Sequence, residues 1–314
     1  YSPVLPFCLD DDRASLDPNT ARSFFCKRKW ILRGFSTKFA SVIAFFVKLC
    51  YLIAMKVVNL TSGSDGNCSL IETENTKILL DDGINATQTI EKLKLLGVDP
   101  SSIDAIVVSH EHSDHIKGVD VFASKFNVPV FAHEKVWIGL EDKLKKVSLK
   151  NRQLFDNDFQ FKDLVISPIE VPHDVACYGF SVEEGDKKIS IVTDLGHYND
   201  RILAKMAGSR LIYLESNYDR EMLYKGTRYP LSLKRRIDGP NGHLSNIDSG
   251  EALERLAYSG TRQFVLAHLS KENNSPRLAY STICSLLQKD GIEEGRDLKI
   301  DVATTNVGTI FRLK

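Results

Sequence analysis

Three imidazoles and a carboxylate fall within six residues, as His110, His112, Asp114 and His115 in the run Ser109-His110-Glu111-His112-Ser113-Asp114-His115. Imidazole nitrogens and carboxylate oxygens are the ligands of zinc and neighbouring transition metals, and a loop can aim alternate side chains inward. His110 and His112 then face one way. Asp114 and His115, one step further round the turn, aim at a second point, an arrangement suited to two cations rather than one. Solvated surface histidines are the competing account, and it fits a lone histidine better than three in six residues.

The flanking residues say what must position this loop. Ile103 to Val108 reads as a short buried strand, so the cluster sits where a strand gives way to a loop. Ile116, Val119, Val121, Phe122 and Phe126 recur at helical spacing and predict a helix opening at His115. Three later strands each carry a ligand-capable residue to an end. Leu164 to Val171 runs into His173, Lys188 to Thr193 ends at Asp194, and Gln263 to Ala267 ends at His268. The two oxygens of Asp194 suit a bridge between metals. Upstream, Lys56 to Thr61, Ser69 to Thr73 and Lys77 to Leu80 read as strands. Asp81, at the end of the third, either orients a ligating histidine from behind or opens the next turn together with Asp82. The loop Ser62 to Asn67, SGSDGN, reads as a hairpin connection. Thr87 to Leu96 reads as an amphipathic helix stopped by Gly97. His133 is read as a non-ligand and Asp301 as a surface residue.

Composition bounds the partners. The chain has 314 residues, 43% hydrophobic and 26% charged, with Lys+Arg and Asp+Glu both 41. A zero formal charge leaves no whole-molecule field to draw in nucleic acid, so any such site has to be a local patch. The six cysteines are widely spaced with no CxxC, the pattern of reduced thiols in a cytoplasmic protein. Residues 1–54 differ in character from the rest of the chain: a basic segment (Lys27, Arg28, Lys29, Arg33, Lys38) precedes Phe39 to Ala54, apolar except for Ser41 and Lys48. Taken literally this resembles a signal peptide or weak anchor. It is shorter and more interrupted than the roughly 20 apolar residues of a membrane span, and no stable membrane association is expected. The favoured expectation is an upstream extension, with translation starting at Met55, the first methionine, and a hydrolase domain over 55–314. Oligomeric state is left open.

The ordered set of Asp81 in LLDDG, His-x-His-x-Asp-His at 110–115, His173, Asp194 and His268 resembles the motif series of the metallo-β-lactamase superfamily, over Met55 to Lys314. SGSDGN (62–67), GHLSN (242–246) and HLSKENN (268–274) resemble its WalJ/YycJ-like branch, whose members are assigned as DNA exonucleases. The resemblance implies an α/β (α+β) fold, a four-layer αββα sandwich with a dinuclear metal site at one edge. It implies His110, His112 and His173 on one metal, Asp114, His115 and His268 on the other, and Asp194 between them. Antibiotic-cleaving members commonly place a cysteine where this chain has Asp194, which argues against a lactamase role. Implied too is a DNA exonuclease of 5′-to-3′ polarity, with Asp114 and His243 as catalytic candidates. Two cations about 3.5 to 4 Å apart lower the pKa of a shared water toward about 7, giving a bridging hydroxide, and clamp the oxygens of a phosphodiester. Zinc is the default for so many histidines, while manganese suits the oxygens of Asp114 and Asp194.

His243 either meets the scissile phosphate or protonates the leaving oxygen, or else caps the helix that starts near Asn246. Substrate contacts are sought in Ser216 to His243, which holds six basic residues against three acidic ones with Tyr218, Tyr224 and Tyr229 interleaved. Arg228, Lys234, Arg235 and Arg236 are the phosphate-binding candidates and the tyrosines suit unpaired bases; the bland account is a solvated insertion of ordinary surface charge. Ser270 and Asn273 either support the loop after His268 or touch substrate. Two further readings stay open: a small-molecule ester or thioester hydrolase, and a non-catalytic nucleic-acid-binding member. A basic groove favours nucleic acid, DNA before RNA, and a closed apolar pocket favours a small ester.

Overall fold

Alternating and fully apolar strand patterns from Met55 onward build two seven-stranded sheets in a computed structural model that describes residues 55–313. The expectations for residues 1–54, whether leader, anchor or upstream extension, lie outside the described residues. The first sheet holds β1 (Met55–Thr61), β2 (Cys68–Glu72), β3 (Lys77–Leu80), β4 (Ala105–Val108), β5 (Val130–His133) and β6 (Arg152–Phe155), in that order, with β14 (Ile310–Leu313) outside β1. The second holds β7 (Phe159–Phe161), β8 (Leu164–Val171), β9 (Cys177–Glu184), β10 (Lys187–Val192), β11 (Leu211–Glu215), β12 (Gln263–Ala267) and β13 (Lys299–Val302), also in sequence order.

Each sheet is antiparallel on one side and parallel on the other. β3, β4, β5 and β6 run parallel, as do β10, β11, β12 and β13. The carboxyl ends of the parallel strands therefore share one edge in each sheet, where backbone groups leave the ladder and ligands can enter. β8 pairs antiparallel with β9, and β9 antiparallel with β10, so β8 delivers His173 to that same edge. β4, Ala-Ile-Val-Val, is buried throughout and shows no alternation, as expected of a parallel strand covered on both faces.

The sheets face each other across one core that takes Val57, Ile106 and Val107 from the first, and Val182, Tyr213 and Val265 from the second. Helices cover both outer faces. α1 (Ala86–Leu95) starts with an Asn85–Gln88 capping box and buries Leu93. α2 (Ser113–Ile116), α3 (Val119–Phe126) and α4 (Glu134–Leu140) come next on the first sheet. A second apolar cluster packs α5 (Asp200–Met206), α8 (Asn246–Tyr258) and α9 (Pro276–Lys289) on the other. Two short helices, α6 (Arg220–Lys225) and α7 (Leu231–Ile237), lie between β11 and α8. Among the described residues no helix is long and apolar enough to cross a membrane.

Three local features differ from expectation, and a fourth bears on two readings left open. The helix expected to open at His115 begins at Ser113, with His112 as its N-cap, and is interrupted before Val119. Diverted backbone bonds make the break: Gly118 N–H donates to the Asp82 carbonyl at 2.8 Å, while the Asp114 carbonyl accepts from Asn67 N–H at 2.8 Å, and a Cβ at Gly118 would lie 2.4 Å from Asp82 Oδ2. Asp301 is half-buried in β13 rather than on the surface, and accepts from the Thr309 hydroxyl at 3.4 Å. The SGSDGN loop is more than a hairpin connection, because Asn67 within it reaches the metal loop. The helix near Asn246 is capped by Ser245, whose hydroxyl accepts from Asp248 N–H, so His243 is free of that task.

Candidate metal centre

Asp81, Asp194 and His268 lie just beyond the ends of β3, β10 and β12, and all three hold left-handed backbone, with φ of 58°, 59° and 56°. For non-glycine residues this conformation costs about 1 kcal/mol or more and persists only where the surroundings enforce it. Here each strand ends abruptly, and the turn aims Asp194 and His268 into one cluster and Asp81 at the loop behind it.

Asp81 does not point at the cluster but holds its loop. Its Oδ1 accepts from Ser109 N–H at 2.8 Å, and its Oδ2 accepts from the Ser109 hydroxyl at 2.8 Å and from His115 Nδ1–H at 2.7 Å. With that proton placed, His115 turns a bare Nε2 inward. His173 is held likewise, its Nδ1–H donating to the Gly242 carbonyl at 3.2 Å. His268 donates Nδ1–H to Glu215 Oε1 at 2.7 Å, and its backbone N–H donates to the Ser62 hydroxyl at 2.8 Å.

The inward atoms form two adjoining groups. His110 Nε2 and His173 Nε2 lie 3.1 and 3.4 Å from His112 Nδ1. Asp114 Oδ2 lies 3.5 Å from both His115 Nε2 and His268 Nε2. Asp194 stands between: its Oδ2 is 3.2 Å from His115 Nε2, and it shares one group of converging ligand atoms with His110 and another with His268. Burial works against the charge on Asp194, yet the surrounding imidazoles, His268 and His115 first, hold its carboxyl well below the usual range. His110 is pushed well below the usual imidazole range by burial and by the neighbouring His115.

Asp194 Oδ2 and His268 Nε2 are buried and make no hydrogen bond among the described residues. Buried polar atoms without a partner are costly and rare. A nitrogen-and-oxygen donor set with orphaned atoms aimed at its own centre fits divalent cations.

Glu215, which the sequence reading missed, completes the arrangement from behind. Fully buried at the end of β11, it accepts from His268 and from His243 Nδ1–H (2.8 Å) at Oε1, and from the N–H groups of Leu195 (3.0 Å) and Leu244 (3.1 Å) at Oε2. Burial alone would raise its pKa, but His243 and His268 outweigh that and hold it at about 2. A carboxylate so engaged orients imidazoles rather than binding metal. Its signal was legible, a lone acid closing the apolar run Leu-Ile-Tyr-Leu, the same pattern that marked Asp194. Asn67 was missed as well: its amide reaches His115 Nε2 at 3.1 Å, and its backbone N–H donates to the Asp114 carbonyl at 2.8 Å, so the SGSDGN loop braces the ligands.

The substrate candidates separate. Arg236 and Ser270 line the open cavity of about 240 Å³ over the ligands, together with His243 and Tyr229. Arg236 pairs with Asp174, whose Oδ1 lies 3.4 Å from His112 Nε2 and 3.2 Å from His173 Nε2. Lys234, expected on the phosphate path, is buried instead, and its ammonium donates to the carbonyls of Tyr224 and Gly226 because a buried cation needs acceptors. Arg228 pairs with Glu272 at the surface, and Asn273 is buried under the loop, accepting from Asp219 N–H through its carbonyl. Arg220 and Lys225 are paired too, with Asp238, Asp248 and Glu221. Arg235 is exposed and makes no ion pair among the described residues. His133 ends β5 and caps α4, accepting from Lys135 N–H at 3.1 Å, with its ring stacked on Tyr178.

Comparison with known proteins agrees with this geometry. A family profile described as "Beta-lactamase superfamily domain" matches residues 76–269. The chain is 35% identical to exodeoxyribonuclease YycJ of Bacillus anthracis over 246 residues, covering 77% of this chain and 92% of that one. It is 36% identical to exodeoxyribonuclease WalJ of Streptococcus pneumoniae over 253 residues, 79% and 94% of the two chains. The chain belongs to the metallo-β-lactamase superfamily, in its WalJ/YycJ-like branch. It is a metal-dependent hydrolase. Its fold matches the crystal structure of the metallo-β-lactamase fold protein YhfI of Bacillus subtilis with a TM-score of 0.61 at 18% identity, over 82% of this chain and 99% of that one.

Proposed function

We propose that this protein is a two-metal phosphodiesterase that degrades nucleic acid from an end, DNA before RNA, in the cytoplasm. The observation that carries the reading is the open side of the ligand cluster, where a guanidinium, Arg236, and a carboxylate-held imidazole, His243, face the same polar cavity. The exodeoxyribonuclease names of the YycJ and WalJ relatives supply the substrate class, and 5′-to-3′ polarity is the direction the branch resemblance implies.

His110, His112 and His173 would hold one cation and Asp114, His115 and His268 the other, with Asp194 shared. When bound, the cations supply a water of lowered pKa and polarise the phosphoryl oxygens. The histidine-rich donors favour zinc, with manganese the alternative. Arg236 offsets phosphate charge and presents two parallel N–H donors, for which it has to exchange Asp174. His243 is kept protonated by Glu215 and gives its proton to the leaving oxygen. Burial works to lower the His243 pKa, but the Glu215 carboxylate outweighs it and raises the value above the ordinary imidazole range. The cavity is polar and open, which favours a phosphodiester over a small apolar ester.

The test is hydrolysis of double-stranded DNA, labelled at either end, by the full chain with zinc or manganese, beside His112→Ala. Metal-dependent shortening from one end, absent in the variant, is expected, and the label retained longest reads the polarity. Absence of DNA cleavage by metal-loaded protein would overturn the reading.

A further inference from the structure

Beyond the metal cavity lies a second one, of about 200 Å³, whose lining includes Tyr229, Leu233, Arg236, Ile237, Asn241 and His243. The two cavities share His173, Tyr229, Arg236, Ile237 and His243, so they meet along the ligand cluster and the guanidinium. To the shared residues the second cavity adds Leu233, Asn241 and the Asp174 carboxylate that pairs with Arg236. The ring of Tyr229 and the aliphatic Leu233 and Ile237 offer flat apolar surface, the exposed Asn241 carries an amide that can donate and accept, and Arg236 stands at the boundary with the ligand cluster.

Residues on either side of this wall are tied by hydrogen bonds and ion pairs. Lys234 ties α7 to the Tyr224 and Gly226 carbonyls, Tyr218 and Tyr224 both donate their hydroxyls to Asp238, and Arg228 pairs with Glu272. Most of the basic charges between β11 and α8 thus have partners already, within the insertion or on Asp174, Asp248 and Glu272 beside it. They fasten it in place rather than forming a patch for backbone phosphates. What the insertion presents to both cavities is Tyr229, Arg236, Ile237 and His243.

We propose that this cavity seats the base of one unstacked terminal nucleotide, stacked on Tyr229 with Asn241 at its edge, while Arg236 takes the phosphate next to it. The inference rests on the nuclease reading and deepens it: the substrate is a frayed or single-stranded end, consumed one nucleotide at a time. A flat heteroaromatic ring answers to an aromatic face with little regard for sequence. A paired end has to give up pairing and stacking to enter, so it is the poorer substrate. Tyr229 therefore determines specificity.

The experiment compares metal-loaded full-length protein, Tyr229→Ala and Tyr229→Phe on oligonucleotides whose terminal nucleotide is either ordinary or abasic. Stacking worth about 1 to 3 kcal/mol per base corresponds to a loss of about 5- to 150-fold in kcat/KM. That loss is expected for Tyr229→Ala on ordinary ends and for the wild type on abasic ends. Tyr229→Phe should keep wild-type rates, and on abasic ends all three proteins should converge. A terminal 2-aminopurine in a cleavage-resistant phosphorothioate oligonucleotide should change fluorescence on binding the wild type and Tyr229→Phe but not Tyr229→Ala. Wild-type protein that cleaves ordinary and abasic ends alike overturns the pocket while leaving the nuclease reading standing, whether or not the alanine variant folds. Wild-type protein that hydrolyses bis(p-nitrophenyl) phosphate but no nucleic acid overturns both.

Discussion

Glu215 divides one carboxylate between two imidazoles, and its loss should be felt at both. In Glu215→Gln one end of the side chain becomes an NH2 that cannot accept, so either the Nδ1–H groups of His243 and His268 or the N–H groups of Leu195 and Leu244 lose their acceptor and the anchor is broken. Outer partners of this kind are worth about ten- to a hundredfold in metal affinity or activity, and a drop of that order in kcat is expected. The pH profile gives the sign. If protonated His243 is the acid, activity is lost as pH rises through its raised pKa, and without the Glu215 charge that alkaline limb should move to lower pH. A limb that stays in place would remove His243 from the proton transfer. Asp194→Ala deletes the residue between the two ligand groups. Metal analysis of the purified variant should find occupancy lost together with activity, and full activity would sink the assignment.

Among the elements, the strand-end turns carry the most constraint. A Cβ on Gly83 would lie 1.6 Å from the Asp114 carbonyl oxygen, because the turn after β3 packs directly on the metal loop. Gly83→Ala must push the two apart. Overpacking costs about 1 to 3 kcal/mol, and a lower melting temperature with weakened metal retention is expected. The neighbouring Asp82 provides a pH test of the same turn. Burial raises its pKa to about 7, against an opposing hydrogen bond from the Thr89 hydroxyl. Its folded pKa lies above the unfolded value of about 3.9, so its stabilising contribution is full below that value and is lost as pH rises through about 7. Asp82→Asn cannot ionise. Its melting temperature should therefore fall less than that of the wild type between about pH 5 and 8, measured with metal chelated in both.

At the scale of the whole molecule, a balanced net charge and an insertion whose cations are mostly paired leave little long-range attraction for a polyanion. Binding then depends on a few cations at the site. Arg236→Ala should weaken binding to a cleavage-resistant oligonucleotide and lower the slope of log affinity against log salt by about one. Arg235→Ala, exposed and outside both cavities, should do so less. Equal effects of the two would return the binding surface to the outer face of α7. The two sheets make this concentration possible, since their parallel halves present all the strand ends at one edge and leave the helices free to cover the core.

Sequence alone determined the candidate donor types, their order and the strands that carry them, because a metal site needs particular donor atoms and a buried strand needs an apolar run. Both demands are written locally, in Ile103 to Val108 before His110 or Lys188 to Thr193 before Asp194. Only the tertiary structure decided which donors meet and what stands behind them. Glu215 lies 28 residues from His243 and 53 from His268, and no local pattern links them. Lys234 illustrates the converse, since basic composition marked it for phosphate while the packing of α7 buried its ammonium against backbone carbonyls. A residue's type restricts the bonds it can make, but its partners are set by long-range strand order and helix packing.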